Sequence, residues 1–280
     1  PFYNDHTAYG AALAMFIPAA FGFIFYPGAT KSSRLLALIL SAILIVGIIF
    51  SYGRAAWISI IVAFIVFILI LLRIKFYIIA ATFMLFVGTF FIFQHQILDK
   101  LSKNKQDSSA NFVEHIQSIT NISSDASNLE RINRWQAAIR LYNERPFLGW
   151  GPGTYQFVYS PFQSSQEKTI ISTNLGDKGN AHSEYLGPLS EMGVLGSALI
   201  ILLIVYFIIT GLRVYKNGTN EIKFLCMITL LGLITYFTHG FLNNFLDTDK
   251  LSVPVWGFIA IIVALDIYHK PKDNPSSIDG

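Results

Sequence analysis

Arg54, Arg131 and Arg134 are the side chains best suited to holding an anion. A guanidinium stays charged at any physiological pH, and its planar fork donates two parallel hydrogen bonds to phosphate oxygens. Arg131 and Arg134 could close on one phosphate; the plain alternative is a solvated helix edge, or attraction to anionic head groups. Arg54 stands at the end of an apolar run and is either a binding group or a snorkelling anchor with its head at the membrane interface. His182, in Ala181-His182-Ser183-Glu184-Tyr185-Leu186, lies where a polar stretch enters an apolar one. An imidazole with an ordinary pKa of about 6.5 can accept a proton there, although interfacial histidines also serve as simple hydrogen-bonding groups. Glu191 follows Glu184 by seven residues on the same helix face, further into the apolar segment, where a carboxylate is a functional candidate or an arginine's partner. Glu184, Tyr185, Glu191, Arg134 and His239 are supporting candidates, with His6 weaker.

The six histidines show no His-x3-His spacing, and the single cysteine, Cys226, falls in an apolar run. No metal site, disulfide framework or cofactor is expected. Pro146-Phe147-Leu148-Gly149-Trp150-Gly151-Pro152-Gly153 could turn sharply and expose backbone NH groups. It lacks the Lys-Ser/Thr ending of a nucleotide-binding loop, so a structural turn is the default.

These residues need elements to hold them, and the composition says in what solvent. Of 280 residues 53% are apolar and 13% charged, against about 25% charged in soluble domains. Lipid must therefore surround most of the chain. The net charge of +3 is spread over loops, which argues against nucleic acid. A crossing needs roughly 20 apolar residues, and seven segments qualify, at about 8–26, 35–51, 55–72, 76–94, 186–210, 222–242 and 252–268. Ser51-Tyr52-Gly53-Arg54 breaks the long run from Leu35 to Leu72 into a hairpin. The expected architecture is all-α: a polytopic bundle of about seven transmembrane helices with a long, partly helical extracytoplasmic loop. Four spans lie in 1–94 with the outward hairpin at 51–54, the loop is 95–185, three spans occupy 186–268, and 269–280 is a cytoplasmic tail. Lys31/Arg34, Arg73/Lys75, Arg213/Lys216/Lys223 and Lys270/Lys272 all fall on one side, which the positive-inside rule makes cytoplasmic. The termini then lie on opposite sides. Because the chain begins at Pro1 rather than Met, it reads as a fragment of a longer protein.

Within the loop, Ser127-Asn128-Leu129-Glu130 offers a capping box for a helix of about 128–145, ending before Pro146. Leu129, Ile132, Trp135, Ile139 and Tyr142 fall on one apolar face, with Arg131, Arg134 and Arg145 on the adjoining edge, so the helix should lie against the bundle or the membrane surface.

In this order the motifs resemble those of the O-antigen ligase and Wzy-type polymerase family of bacterial envelope glycosyltransferases. The match is carried by Asn4-Asp5-His6-Thr7-Ala8-Tyr9-Gly10, Ser51-Tyr52-Gly53-Arg54-Ala55-Ala56-Trp57, Arg131 four residues before Trp135, and the 146–153 turn. His182-Ser183-Glu184-Tyr185-Leu186 and Glu191-Met192-Gly193-Val194-Leu195-Gly196 complete it. The resemblance implies a multi-pass protein of the bacterial cytoplasmic (inner) membrane. It would move a glycan from a polyprenyl diphosphate carrier to a hydroxyl of a glycan, lipid-core or protein acceptor, at the outer face, without metal or nucleotide sugar. It also implies that Arg54 and Arg131 bind the diphosphate and that His182 is the loop-end base. Asn commonly follows that histidine in the family, whereas Ser183 follows it here. The main rival is a transporter or flippase of lipid-linked glycans, for which Glu191 and a kink at Pro188 would speak; a membrane-anchored sensor ranks behind it.

Overall fold

A computed structural model describes residues 5–74, 126–165, 168, 172 and 179–269. The expected span at 76–94, the first third of the loop and the tail lie outside the described residues. Among those described the protein is all-α, with no strand, and six helices are long and apolar enough to cross a membrane. These are α1 (His6–Ile24), α2 (Lys31–Ser51), α3 (Arg54–Leu71), α6 (Leu186–Asn217), α7 (Asn220–His239) and α8 (Asp249–Tyr268). The loop contributes α4 (Ala126–Glu144), a single turn α5 (Tyr155–Val158) and a 3-10 turn at Ser160–Phe162.

Local chemistry sets the boundaries. Asp5 caps α1 by accepting from the Thr7 amide at 2.8 Å, and Thr30 caps α2 by accepting from the Ser33 amide at 3.2 Å. Tyr52 ends α2 in a left-handed conformation (φ 50°), and Gly53 restarts the chain as α3. α7 is the axis of the bundle: Leu230, Leu233 and Tyr236 pack in one core with Met15 of α1, Phe207 of α6 and Leu251, Val255 and Ile262 of α8. Gly232 permits the α1 approach, since a Cβ there would stand 2.7 Å from the Met15 carbonyl oxygen; small residues let membrane helices pack closely in this way. α2 and α3 turn Leu38, Ile43, Phe50, Ile61 and Phe64 outward. In water so much exposed apolar surface would be an aggregation hazard; in lipid it is the matching face.

α6 is two helices in series. Gly193 adopts φ 62°, ψ −166°, which breaks it after Met192. From Val194 to Asn217, at 1.5 Å per residue, the second part is about 36 Å long, enough to cross. The kink expected at Pro188 is therefore displaced to Gly193. Pro188 is the third residue of α6, in the first turn, where an amide has no intrahelical partner and its absence costs little.

Helix direction follows from contacts. Gly22 lies against Ile228 and Phe224 and Gly232 against Met15, so α1 and α7 are antiparallel, and the start of α1 meets the end of α7. The Glu184 amide donates to the Gly240 carbonyl (2.8 Å), joining the start of α6 to that same end. His6 Nδ1 is 2.8 Å from the Ser51 carbonyl oxygen, which brings the α2–α3 turn there too.

Candidate active site

This end of the bundle gathers residues that are remote in sequence. His182 sits in the connection into α6 with a left-handed backbone (φ 48°), a conformation that costs a non-glycine residue energy and needs fixing by its surroundings. Its amide donates to Asn180 Oδ1 (3.1 Å), and its carbonyl accepts from Trp135 Nε1 of α4 (3.2 Å). Burial, then the charges of Arg131 and Arg134, hold the imidazole down to a pKa of about 4; Glu130 and Asp5 oppose them more weakly. At neutral pH the ring is neutral and free to take a proton. Arg131 and Asp5 also act electrostatically on His239, at the end of α7. That ring is 2% exposed, tilted against Phe245 at 5.8 Å, and neither of its nitrogens has a hydrogen-bond partner among the described residues. Arg54 opens α3, partly buried, at the same end.

Arg134 is not at a solvated edge, one of the alternatives its sequence left open. It is 5% exposed, its Nε pairs with Glu130 Oε1 at 2.6 Å, and its guanidinium lies 4.0 Å from the Tyr159 ring centroid. A side chain at Gly179 would overlap its Nη1. Glu130 also accepts from Ser172 Oγ, and Asn133 Nδ2 donates to Gln163 Oε1 at 2.8 Å. The buried face of α4 carries these polar groups in its first half and Ala137, Ala138 and Leu141 in its second. Leu129, Ile132 and Ile139, on the face expected to lie against the bundle or the membrane surface, are 36%, 37% and 37% exposed, which leaves them to the membrane surface. The arrangement has a physical reason: Glu130, Asn133 and Arg134 are linked to one another and to Gln163 and Ser172, and the apolar stripe suits a lipid surface. The capping box at 127–130 is also displaced, since α4 begins at Ala126 and the Glu130 carboxylate is engaged by Arg134 and Ser172.

Glu184 and Tyr185 tie helices together. Glu184 Oε1 accepts from Tyr236 Oη (2.5 Å) and from the Phe245 and Leu246 amides (2.6 and 2.9 Å). Burial nevertheless pushes its carboxyl pKa above the usual range. Tyr185 Oη donates to the Phe237 carbonyl (2.8 Å), and burial raises its phenol as well.

Glu191 lies on the loop side of the break at Gly193 rather than deep in the span. Its carboxylate accepts from the Gly153 and Tyr155 amides, each at 2.9 Å, and its carbonyl from Gly151 at 2.7 Å. The glycine-rich turn is thus a clasp. Gly149 (φ 66°) lies so close to the Glu191 carbonyl, and Gly193 so close to the Phe147 carbonyl, that neither could carry a Cβ. Val194 completes the clasp by donating to the Pro146 carbonyl at 2.8 Å.

Asn180 stands at this end of the bundle against His182 and was not singled out from the sequence. Asn180 could have been found, because an Asn two residues before a positive-φ position commonly accepts its amide.

No curated protein matches the chain. The O-antigen ligase family model, however, matches residues 39–201, more than half of the 280 and a range that includes Arg54, Arg131, His182 and Glu191. The chain is a multi-pass membrane protein and an enzyme of glycan transfer at the membrane, and it belongs to the O-antigen ligase family.

Proposed function

We propose that the protein transfers a glycan from a polyprenyl diphosphate carrier to an acceptor hydroxyl at the outer face of the bacterial cytoplasmic membrane, as a ligase or polymerase. What supports this reading is the placing of a half-buried imidazole, held by its backbone to Asn180 and Trp135 and within electrostatic reach of Arg131, at the bundle end where Arg54 opens α3. Arg54 and Arg131 hold the diphosphate. The acceptor oxygen attacks the anomeric carbon as the bond from that carbon to the phosphate oxygen breaks, and the departing diphosphate keeps the electron pair. Fixed guanidinium groups in a partly dehydrated site stabilise that growing charge and make a divalent cation unnecessary. His182 accepts the hydroxyl proton. Burial lowers its proton affinity most and Arg131 and Arg134 add to that; a diphosphate held by the arginines offsets their part and strengthens the base. One displacement inverts the anomeric configuration.

The transporter reading has lost its two supports, since Glu191 is engaged in the clasp and Pro188 makes no kink. The test is transfer by the purified full chain in detergent, where no second compartment exists. Arg54→Ala and His182→Ala should each lose about 100-fold or more, the usual range for a general base or a charge-stabilising donor. Arg54→Lys should recover part of the rate, because charge survives without the bidentate fork. Full activity in the correctly inserted alanine variants would sink the assignment.

A further inference from the structure

His182 is the residue at which the chain passes from one support to another. Before it, the segment lies on α4: Gly179 is packed so closely over Arg134 and Tyr159 that a Cβ would overlap both side chains. After it, the Ser183 hydroxyl accepts from the Tyr185 and Leu186 amides (3.3 and 3.4 Å). The Glu184 amide then donates to the Gly240 carbonyl at 2.8 Å, so from here the chain belongs to α6 and the end of α7. The left-handed backbone falls at this handover. A non-glycine residue keeps such a conformation only where its surroundings over-determine it. On the α4 side that hold is the bond from Trp135 Nε1 to the His182 carbonyl, at 3.2 Å.

Trp135 stands one turn beyond Arg131 within the unbroken helix α4. Residues four apart on a helix are neighbours on one face, so the arginine assigned to the diphosphate and the indole that grips the base's main chain ride on the same rigid turn. An indole N–H can only donate, and its ring is rigid, so this bond has one sense and little play. The same helix receives a second bond of this kind near its far end, where Trp150 Nε1 donates to the Leu141 carbonyl at 3.0 Å. That bond holds the 146–153 turn to α4 and does not involve His182. The two tryptophans therefore present the same chemistry to the same helix, one at the base and one away from it.

We propose that Trp135 is a positioning residue for the transfer reaction: by holding the His182 carbonyl it makes α4 the common reference for the imidazole and for Arg131, so that base and diphosphate keep a fixed separation. Its effect on rate rests on the glycan-transfer reading; its placing of the imidazole can be read without it. A shift of about 1 Å in a reacting group can cost about 100-fold in rate. The loss falls on turnover rather than on donor binding, because the donor is held by Arg54 and Arg131 and not by the imidazole.

The test compares Trp135→Phe with Trp150→Phe on the purified full chain, since each keeps an aromatic ring and removes one indole N–H from a main-chain carbonyl. Trp135→Phe should lower kcat about 10- to 100-fold and leave the donor KM within about twofold. It should also move the His182 midpoint, followed by NMR of labelled histidine, up toward the ordinary value of about 6.5, because burial is the largest cause that holds it near 4. Trp150→Phe should lose comparable thermal stability while kcat and the midpoint stay close to native. Asn180→Ala, which frees the His182 amide, should act as Trp135→Phe does and serves if that variant does not fold. Loss of kcat in both tryptophan variants in step with their melting temperatures would make Trp135 merely structural and overturn the assignment. So would an unchanged kcat and midpoint in the folded variants, or a loss confined to KM. A shifted midpoint together with full transfer by His182→Ala would instead remove the imidazole from the chemistry and leave its placing by Trp135 standing.

Discussion

His182 is held by its backbone so that its ring can remain uncommitted. Both main-chain groups are anchored, to Asn180 and Trp135, while burial and two arginines keep the imidazole neutral down to about pH 4. In the unligated protein its titration, followed by NMR of labelled histidine, should therefore centre near 4 rather than the ordinary value of about 6.5. Arg131→Ala removes a positive charge that opposes protonation, so the midpoint should move upward. Inorganic pyrophosphate should move it the same way. A midpoint indifferent to both would mean that Arg131 and the imidazole do not share a site. Linkage gives a second readout. The folded pKa lies below the unfolded one, so the unfolded chain binds more protons between about pH 6.5 and pH 4. The contribution to stability is complete above that window and is lost as pH falls through it. His182→Ala should flatten this part of a melting-temperature profile.

At the scale of elements, the clasp between the 146–155 turn and the α6 break fixes the site's floor, and it depends on two glycines. Gly193→Ala would force a side chain into a backbone region essentially confined to glycine and into the Phe147 carbonyl. A loss of at least about 1–3 kcal/mol is expected, read as a melting temperature lower by several degrees. Glu191→Gln keeps the shape but weakens two charge-assisted bonds, and should cost less, about 1–2 kcal/mol. If Glu191→Gln melted like the native chain but abolished transfer, Glu191 would have a direct chemical role instead. This clasp also marks the limit of what the sequence discloses. The spans were legible because twenty apolar residues in a row have few other uses, and the hairpin because Gly53 and a polar run interrupt one. The turn at 146–153 was legible as a turn, but its partner was not, since nothing local to Glu191 says that its carboxylate will receive amides from 38 and 36 residues away. The same limit applies to α4. Periodicity finds the apolar stripe but leaves open whether bundle or membrane surface covers it, and it does not show that Glu130, Asn133 and Arg134 go inside, where Gln163, Ser172 and Tyr159 meet them.

At the scale of the whole molecule, alternating helices collect the candidate site at one end, and most of the helix-flanking lysines and arginines at the other. Asp5, Arg54, His182, Glu184 and His239 belong to the starts of α1, α3 and α6 and the end of α7, while Lys31, Arg34, Arg73, Lys216 and Lys223 flank the opposite helix ends. Arg213 pairs there with Asp266 across α6 and α8 at 2.9 Å. The positive-inside rule predicts a cytoplasmic cationic end, and the proposed function needs the site to face outward, where a carrier lipid's glycan is presented. The single cysteine makes this directly testable. Cys226 is fully buried, and its Sγ donates to the Gly211 carbonyl at 3.1 Å, so it should give no background to a membrane-impermeant thiol reagent. Tyr52→Cys and Phe157→Cys replace residues 79% and 68% exposed at the site end, and in sealed cells both should label from outside. Lys216→Cys, at the other end of α6, should label only after permeabilisation. The reverse pattern would put the arginines and His182 in the cytoplasm and would require a donor other than an outward-facing carrier lipid, even if every contact within the bundle were correct.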